Sequence, residues 1–206
     1  MIRRRSWLVT GIVVALFLSL APMSAPPITG LFGCTTTTRH ARWALKTRPA
    51  PDSLTSAEVV SVSDLLGWAV PRGHRASEVG QILPHEARLV RLTGIVRRVK
   101  LSPDDCDLHI EIAATGAAGA PRFIAEIPPT APNVQRAAAV IFHLSAQATS
   151  HTYSSASAVT VTVTGYVFLD LSHQCTGHPT VGCQHGSADV RTLWEVHPVV
   201  AIGIVK

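Results

Sequence analysis

Val159-Thr160-Val161-Thr162-Val163-Thr164-Gly165-Tyr166-Val167-Phe168-Leu169 places an apolar side chain or a glycine at every second position. Successive side chains of a strand point to opposite faces, so the valines form one apolar face and the threonines the other. Two other stretches share this period. From Glu86 onward, Val90, Leu92, Gly94 and Val96 alternate with Arg91, Thr93 and Ile95; then Leu108, Ile110 and Ile112 alternate with Asp107, His109 and Glu111. Residues 123–127 make a third strand, stopped by Pro128-Pro129, and the Val- and Ile-rich run 193–204 makes a fifth. Between the third strand and the Val–Thr run, residues 133–148 carry Val134, Ala137, Ala138, Ile141 and Leu144 at helical spacing, with Asn133 as the expected cap.

Three strands, a helix and two strands within 120 residues is the order of a mainly β, five-stranded OB-type barrel with one helix between strands 3 and 4. An antiparallel sheet with one packed helix competes with it. Gly94 and Gly165 favour closure, because sharply coiled strands need residues that tolerate close approach, and Arg97-Arg98 marks a bend or bulge. Ser102-Pro103-Asp104-Asp105 is a turn. Upstream, Ser61-x-x-Asp64 opens a short capped helix that ends at Pro71-Arg72-Gly73, and 42–47 is a candidate docking edge segment. The expected organisation is a signal over 1–34, a linker and docking extension over 35–85, and the barrel over 86–206.

The chain has 206 residues, 47% hydrophobic and 15% charged, which excludes a disordered polyelectrolyte. Its formal charge of +5 shrinks to +2 without Arg3, Arg4 and Arg5, which precede the apolar run 7–20. A cationic start and a 14-residue apolar run suit an export signal better than a membrane span. Leu31-Phe32-Gly33-Cys34 is similar to a lipobox, apart from Phe32 where a small residue is usual. Two forms of membrane attachment therefore stand as expectations: lipid on Cys34, or an uncleaved N-terminal helix. Either reading places the chain outside the cytoplasm, in the cell envelope or secreted.

Four cysteines in an exported chain are read first as disulfides. Cys175 and Cys183 enclose seven residues, and a bridge there would staple a loop; if Cys34 carries lipid, Cys106 is left over, free or paired across space with a loop cysteine. The same loop reads His173-x-Cys175-x-x-His178…Cys183-x-His185, a set of possible zinc ligands that matches no closed zinc motif.

The segments RWALKT (from Arg42), DLHIEI (from Asp107), FIAEIP (from Phe123), VTVTGYVFLDLSH (from Val161) and WEVHPV (from Trp194) resemble, in order and spacing, a group of exported bacterial proteins. The resemblance spans about residues 40–206. It implies an OB-type barrel, distantly similar to staphylococcal-nuclease-like barrels, with Asp-x-His, Ala-Glu-Ile-Pro and Glu-x-His-Pro on its strands. It imports no activity, and the loop 173–185 departs from the group's short connection.

Two functional readings follow. In the first, Asp107, His109, Glu195 and His197 are metal ligands and Arg122 and Glu126 are catalytic. A divalent ion would then polarise a phosphodiester and acidify bound water. Against it, the spacing from Arg122 to Glu126 is not that of a nuclease, and ordinary strand pairing explains the same polar residues. In the second, which we favour, the barrel is a noncatalytic envelope module without a cofactor. It would recognise a glycan, peptide or protein through the strand 2–3 face and the 172–191 loop, with Arg97, Arg98, His109, Glu111 and His173 as ligand-binding residues. Only eight aromatics follow residue 34 and none interleaves with the basic residues, which argues against a nucleic-acid partner.

Overall fold

The computed structural model describes residues 26–38, 42–71, 82–173 and 186–205. Five strands build the barrel: β1 (Leu89–Leu101), β2 (Leu108–Ala113), β3 (Arg122–Ile127), β4 (Val159–Leu169) and β5 (Val190–Ile204). Their spatial order is β1-β2-β3-β5-β4, and β4 returns to pair with β1, so the sheet closes. Every contact is antiparallel except β3 with β5. Helix α2 (Pro132–Ile141) connects β3 towards β4. This is the OB-type barrel that the strand order predicts.

The two glycines allow the closure. A Cβ on Gly94 would stand 2.5 Å from Ile112 Cγ2, and one on Gly165 would stand 2.4 Å from the Pro198 carbonyl oxygen. The bulge falls at Arg97, where the register of β1 with β2 shifts between Val96 and Arg98. Its effect is a change of parity. Val90, Leu92 and Val96 face the core before it, and Val99 and Leu101 after it. They meet Leu108, Ile110, Ile112, Phe123, Ala125 and Ile127 from β2 and β3, and Val161, Val163, Val167 and Leu169 from β4.

Two local expectations are corrected. Asn133 is not the cap of α2: Pro132 starts the helix behind Ala131, and the Asn133 side chain instead accepts a hydrogen bond from Arg136. The helix stops at Ile141 rather than Ala148, and His143 enters the left-handed region at φ 54°. The short helix α1 (Val62–Gly67) has the expected capping box, with Asp64 N–H donating to Ser61 Oγ at 3.0 Å and Ser61 N–H to Asp64 Oδ2 at 3.2 Å. It ends at Gly67, ahead of Pro71. Residues 42–47, the candidate docking segment, form a helical turn (Trp43–Lys46).

The segment before the barrel is part of the fold. A two-stranded ribbon, Ile28–Thr29 with Thr35–Thr36, lies against the 102–107 turn and is bonded to it through a Cys34–Cys106 disulfide. Buried Gln135 ties the pieces together. Its Nε2 donates to the carbonyls of Cys106 and Ile127, both at 2.8 Å, and its Oε1 accepts from Leu31 N–H at 3.2 Å. The Cys34 sulfur, read from the sequence as a candidate lipid carrier, is joined here to Cys106. Residues 26–34, assigned to the signal, also contribute buried Leu31 to the core. The apolar run 7–20 and the Cys175 and Cys183 pair lie outside the described residues. No helix among the described residues is long and apolar enough to cross a membrane.

Candidate functional site

Barrel geometry brings three polar residues together on the outside of the sheet. Leu108 pairs with Ile127 and His109 with Glu126, so Asp107 and Glu126 stand at the same end of β2 and β3. The parallel register Ala125–Val196 sets His197 of β5 beside Glu126. His197 Nδ1 is 2.8 Å from Glu126 Oε2 and 3.8 Å from Glu195 Oε2, and its Nε2 is 3.4 Å from Asp107 Oδ2. Glu126 Oε1 is 3.1 Å from His109 Nδ1, which continues the alternation of carboxylate and imidazole towards the surface.

The N-terminal extension roofs this group. The helical turn Trp43–Lys46 brings the Lys46 ammonium 5.2 Å above the Phe168 ring and the Arg42 guanidinium 5.1 Å from the same ring. Lys46 is only 6% exposed and His197 is fully buried. Burial would push the Lys46 ammonium down, but Glu126, Glu195, Asp170 and Asp107 outweigh it and hold the pKa above the ordinary value. Burial likewise works against a charged His197, and Glu126, Glu195 and Asp107 carry the net shift upward. Asp107 is pushed up chiefly by burial, with Glu126 and Asp105 adding to it against His197 and Lys46.

Beside this group, across β2, lies a second buried network. Glu111 accepts from Arg122 Nη1 at 2.9 Å, from Ser187 Oγ at 2.6 Å and from Ser187 N–H at 2.8 Å, while Arg122 Nη2 pairs with Asp189 Oδ2 at 2.8 Å. Arg98 Nη1 stands 3.5 Å from Glu111 Oε1. Burial would raise the Glu111 carboxyl, yet the Ser187 and Arg122 hydrogen bonds and the charge of His109 hold it below its usual range.

A cleft of about 320 Å³ opens over the outer face of β2 and β3, and Glu126 and His109 form part of its floor. Arg98 and Lys100 of β1 line it, with Ser102, Asp104 and Asp105 from the turn between β1 and β2. Asp170, Ser172, His173 and Gly186 bound it from the ends of the β4–β5 connection. His173 Nδ1 is held 2.7 Å from Asp170 Oδ2.

The structure therefore separates the residues that the sequence grouped. Arg98, His109 and His173 line the cleft. Arg97 and Glu111 do not: Arg97 Nη1 donates to the Gly116 carbonyl at 2.7 Å, and Glu111 is enclosed by Arg122 and Ser187. Arg122 is committed to Glu111 and Asp189, so a phosphate clamp built from Arg122 and Glu126 is not assembled, although Glu126 faces the cleft. Among the proposed metal ligands, Asp107 and His197 come together with Glu126, Glu195 stands beside them, and His109 is joined through Glu126. Sequence reasoning missed Lys46 and Asp170. No protein-family model, curated protein or solved structure matches the chain.

Proposed function

We propose that the protein is an exported recognition module that holds a polar glycan or peptide of the cell envelope in the β2–β3 cleft. The observation that carries this reading is the position of the cleft. It sits where the strand 2–3 face meets the β1–β2 turn and the β4–β5 connection, the region through which OB barrels take their ligands. Lys46, Arg98 and Lys100 supply cations, and Asp104, Asp105, Glu126 and Asp170 supply anions. A lining of both signs suits a ligand that carries both charges, or many hydroxyls, better than a polyanion such as nucleic acid, which demands a basic groove. Export is supported by Arg3–Arg5 with the apolar run 7–20, and by the Cys34–Cys106 bond, since such bonds persist outside the reducing cytoplasm. The run 7–20 would attach the protein to a membrane if it is retained as an anchor.

The test is retention on immobilised protein of a panel of envelope glycan fragments, short peptides and oligonucleotides. A glycan or peptide should be retained, and an Arg98→Glu, Lys100→Glu double variant should lose at least about tenfold in affinity, a change of roughly 1.4 kcal/mol. Equal retention by the folded double variant, or retention of oligonucleotides alone, overturns the reading.

A further inference from the structure

We propose that Asp107, Glu126 and His197 form a binding site for one divalent transition-metal ion of the Zn²⁺ class. One ligand atom from each residue lies within 4.8 Å of the others, and all three residues are buried. Bonds of about 2.0–2.2 Å to nitrogen and oxygen would draw these atoms together by small side-chain movements. The donors stand on three adjacent barrel segments: the residue leading into β2, the penultimate residue of β3, and the middle of β5. Sites built on paired strands hold their donors more rigidly than sites built on loops.

An independent observation points to a ligand. Asp107 Oδ1 and both ring nitrogens of His197 are buried without a well-aligned hydrogen-bond partner, despite the 2.8 Å approach of Nδ1 to Glu126. Asp107 is 2% exposed and His197 0%. Buried polar atoms left unbonded are uncommon and costly, and His197 Nε2 stands 3.4 Å from the Asp107 carboxylate. An ion there would bond one imidazole nitrogen and the Asp107 carboxylate directly.

Charge agrees with this assignment. The carboxylates of Asp107, Glu126, Glu195 and Asp170 act together on the single Lys46 ammonium, so a divalent ion would supply charge of the sign this group lacks. The donor set selects among ions: an imidazole with two carboxylates suits zinc or manganese, whereas calcium and magnesium favour oxygen alone. Glu126 faces the cleft, so an ion can reach the site past Glu126 and His109. The site needs only these three donors and does not rest on the recognition reading, because its test uses metal without any glycan or peptide.

The experiment is calorimetric titration of the chelator-treated full chain with Zn²⁺ alone, with Mg²⁺ as the control. One Zn²⁺ per chain should bind and raise the melting temperature, and Mg²⁺ should not compete. Asp107→Asn and Glu126→Gln keep side-chain shape, and each should weaken Zn²⁺ by about 100-fold while leaving the circular dichroism unchanged. If one variant fails to fold, the other decides. Substitution with Co²⁺ separates this site from the Cys- and His-bearing loop at 173–185: an oxygen and nitrogen set gives no thiolate-to-cobalt charge-transfer band. Absence of saturable Zn²⁺ binding overturns the proposal, as does Zn²⁺ affinity unchanged in a folded variant or a strong thiolate band.

Discussion

The Arg122 guanidinium donates to the Glu111 carboxylate at 2.9 Å across β2 and β3, with the Glu111 side chain wholly withdrawn from water. Removing one member of such a buried pair leaves an uncompensated charge, which costs about 3–5 kcal/mol. Arg122→Ala should lower the stability measured by urea unfolding by that amount. Replacing both residues with apolar ones of similar size, Glu111→Leu with Arg122→Met, should recover most of the loss. A single Arg122→Ala change that costs under about 1 kcal/mol would show that the pair is solvated in solution.

The same pair gives a pH dependence. The Glu111 carboxyl titrates below its usual range in the folded chain, held there by Ser187, Arg122 and the charge of His109, with Arg98 facing it at 3.5 Å. An unfolded glutamate titrates near about 4.3. The folded state therefore binds fewer protons than the unfolded one below that point, and the stabilisation, complete above it, is lost as pH falls through the lower folded value. Thermal unfolding followed from pH 6 down to about 3 should show a falling midpoint. The Glu111→Gln variant should have a flatter profile over that interval; an equal slope in both proteins would contradict the assignment.

Gly165 is fixed by the backbone of β5 rather than by a flexible side chain. A methyl group there would meet the Pro198 carbonyl at 2.4 Å and Val199 Cα at 2.9 Å. Gly165→Ala should destabilise the barrel by about 1–3 kcal/mol, the usual range for overpacking, or prevent closure altogether. Gly203, which has open space around its Cβ position, is the matched control, and its alanine variant should unfold within a few degrees of the parent. Equal melting temperatures for the two alanine variants would refute the close approach.

Much of this architecture is legible in the residue pattern, because β2, β4 and the part of β1 before the Arg97 bulge turn apolar side chains to the core at alternate positions. The end of α2 is not legible. Leu144 continues the helical apolar period, and the chain turns at His143 without the glycine that normally marks a helix stop. The candidate site divides in the same way. Asp107, Glu126 and His197 are visible as polar residues at strand positions, since register places them together once the barrel is assumed. Lys46 and Cys34 are brought in by segments with no periodicity. Their partners lie 60 residues or more along the chain, so only tertiary packing identifies them.

The Cys34–Cys106 bond closes a separation of 72 residues and joins the N-terminal ribbon to the turn before β2. Chain-entropy arguments assign roughly 4 kcal/mol to a cross-link of that span, as an upper value. Reduction under native conditions should lower the unfolding free energy by 2–4 kcal/mol, about the range for native disulfides in small secreted domains. Unchanged stability after complete reduction would mean that Gln135 and Leu31 hold the ribbon unaided.

An amide chemical-shift titration decides whether the β2–β3 face is the working surface. Isotope-labelled protein would be titrated with the glycan or peptide retained from the binding panel. The largest shifts should fall on Arg98, Lys100, His109, Glu126 and 170–173, with little change at Thr93 and Thr162, which pair across β1 and β4. Shifts concentrated on Thr93 and Thr162, or none at saturating ligand, would contradict the role of this face.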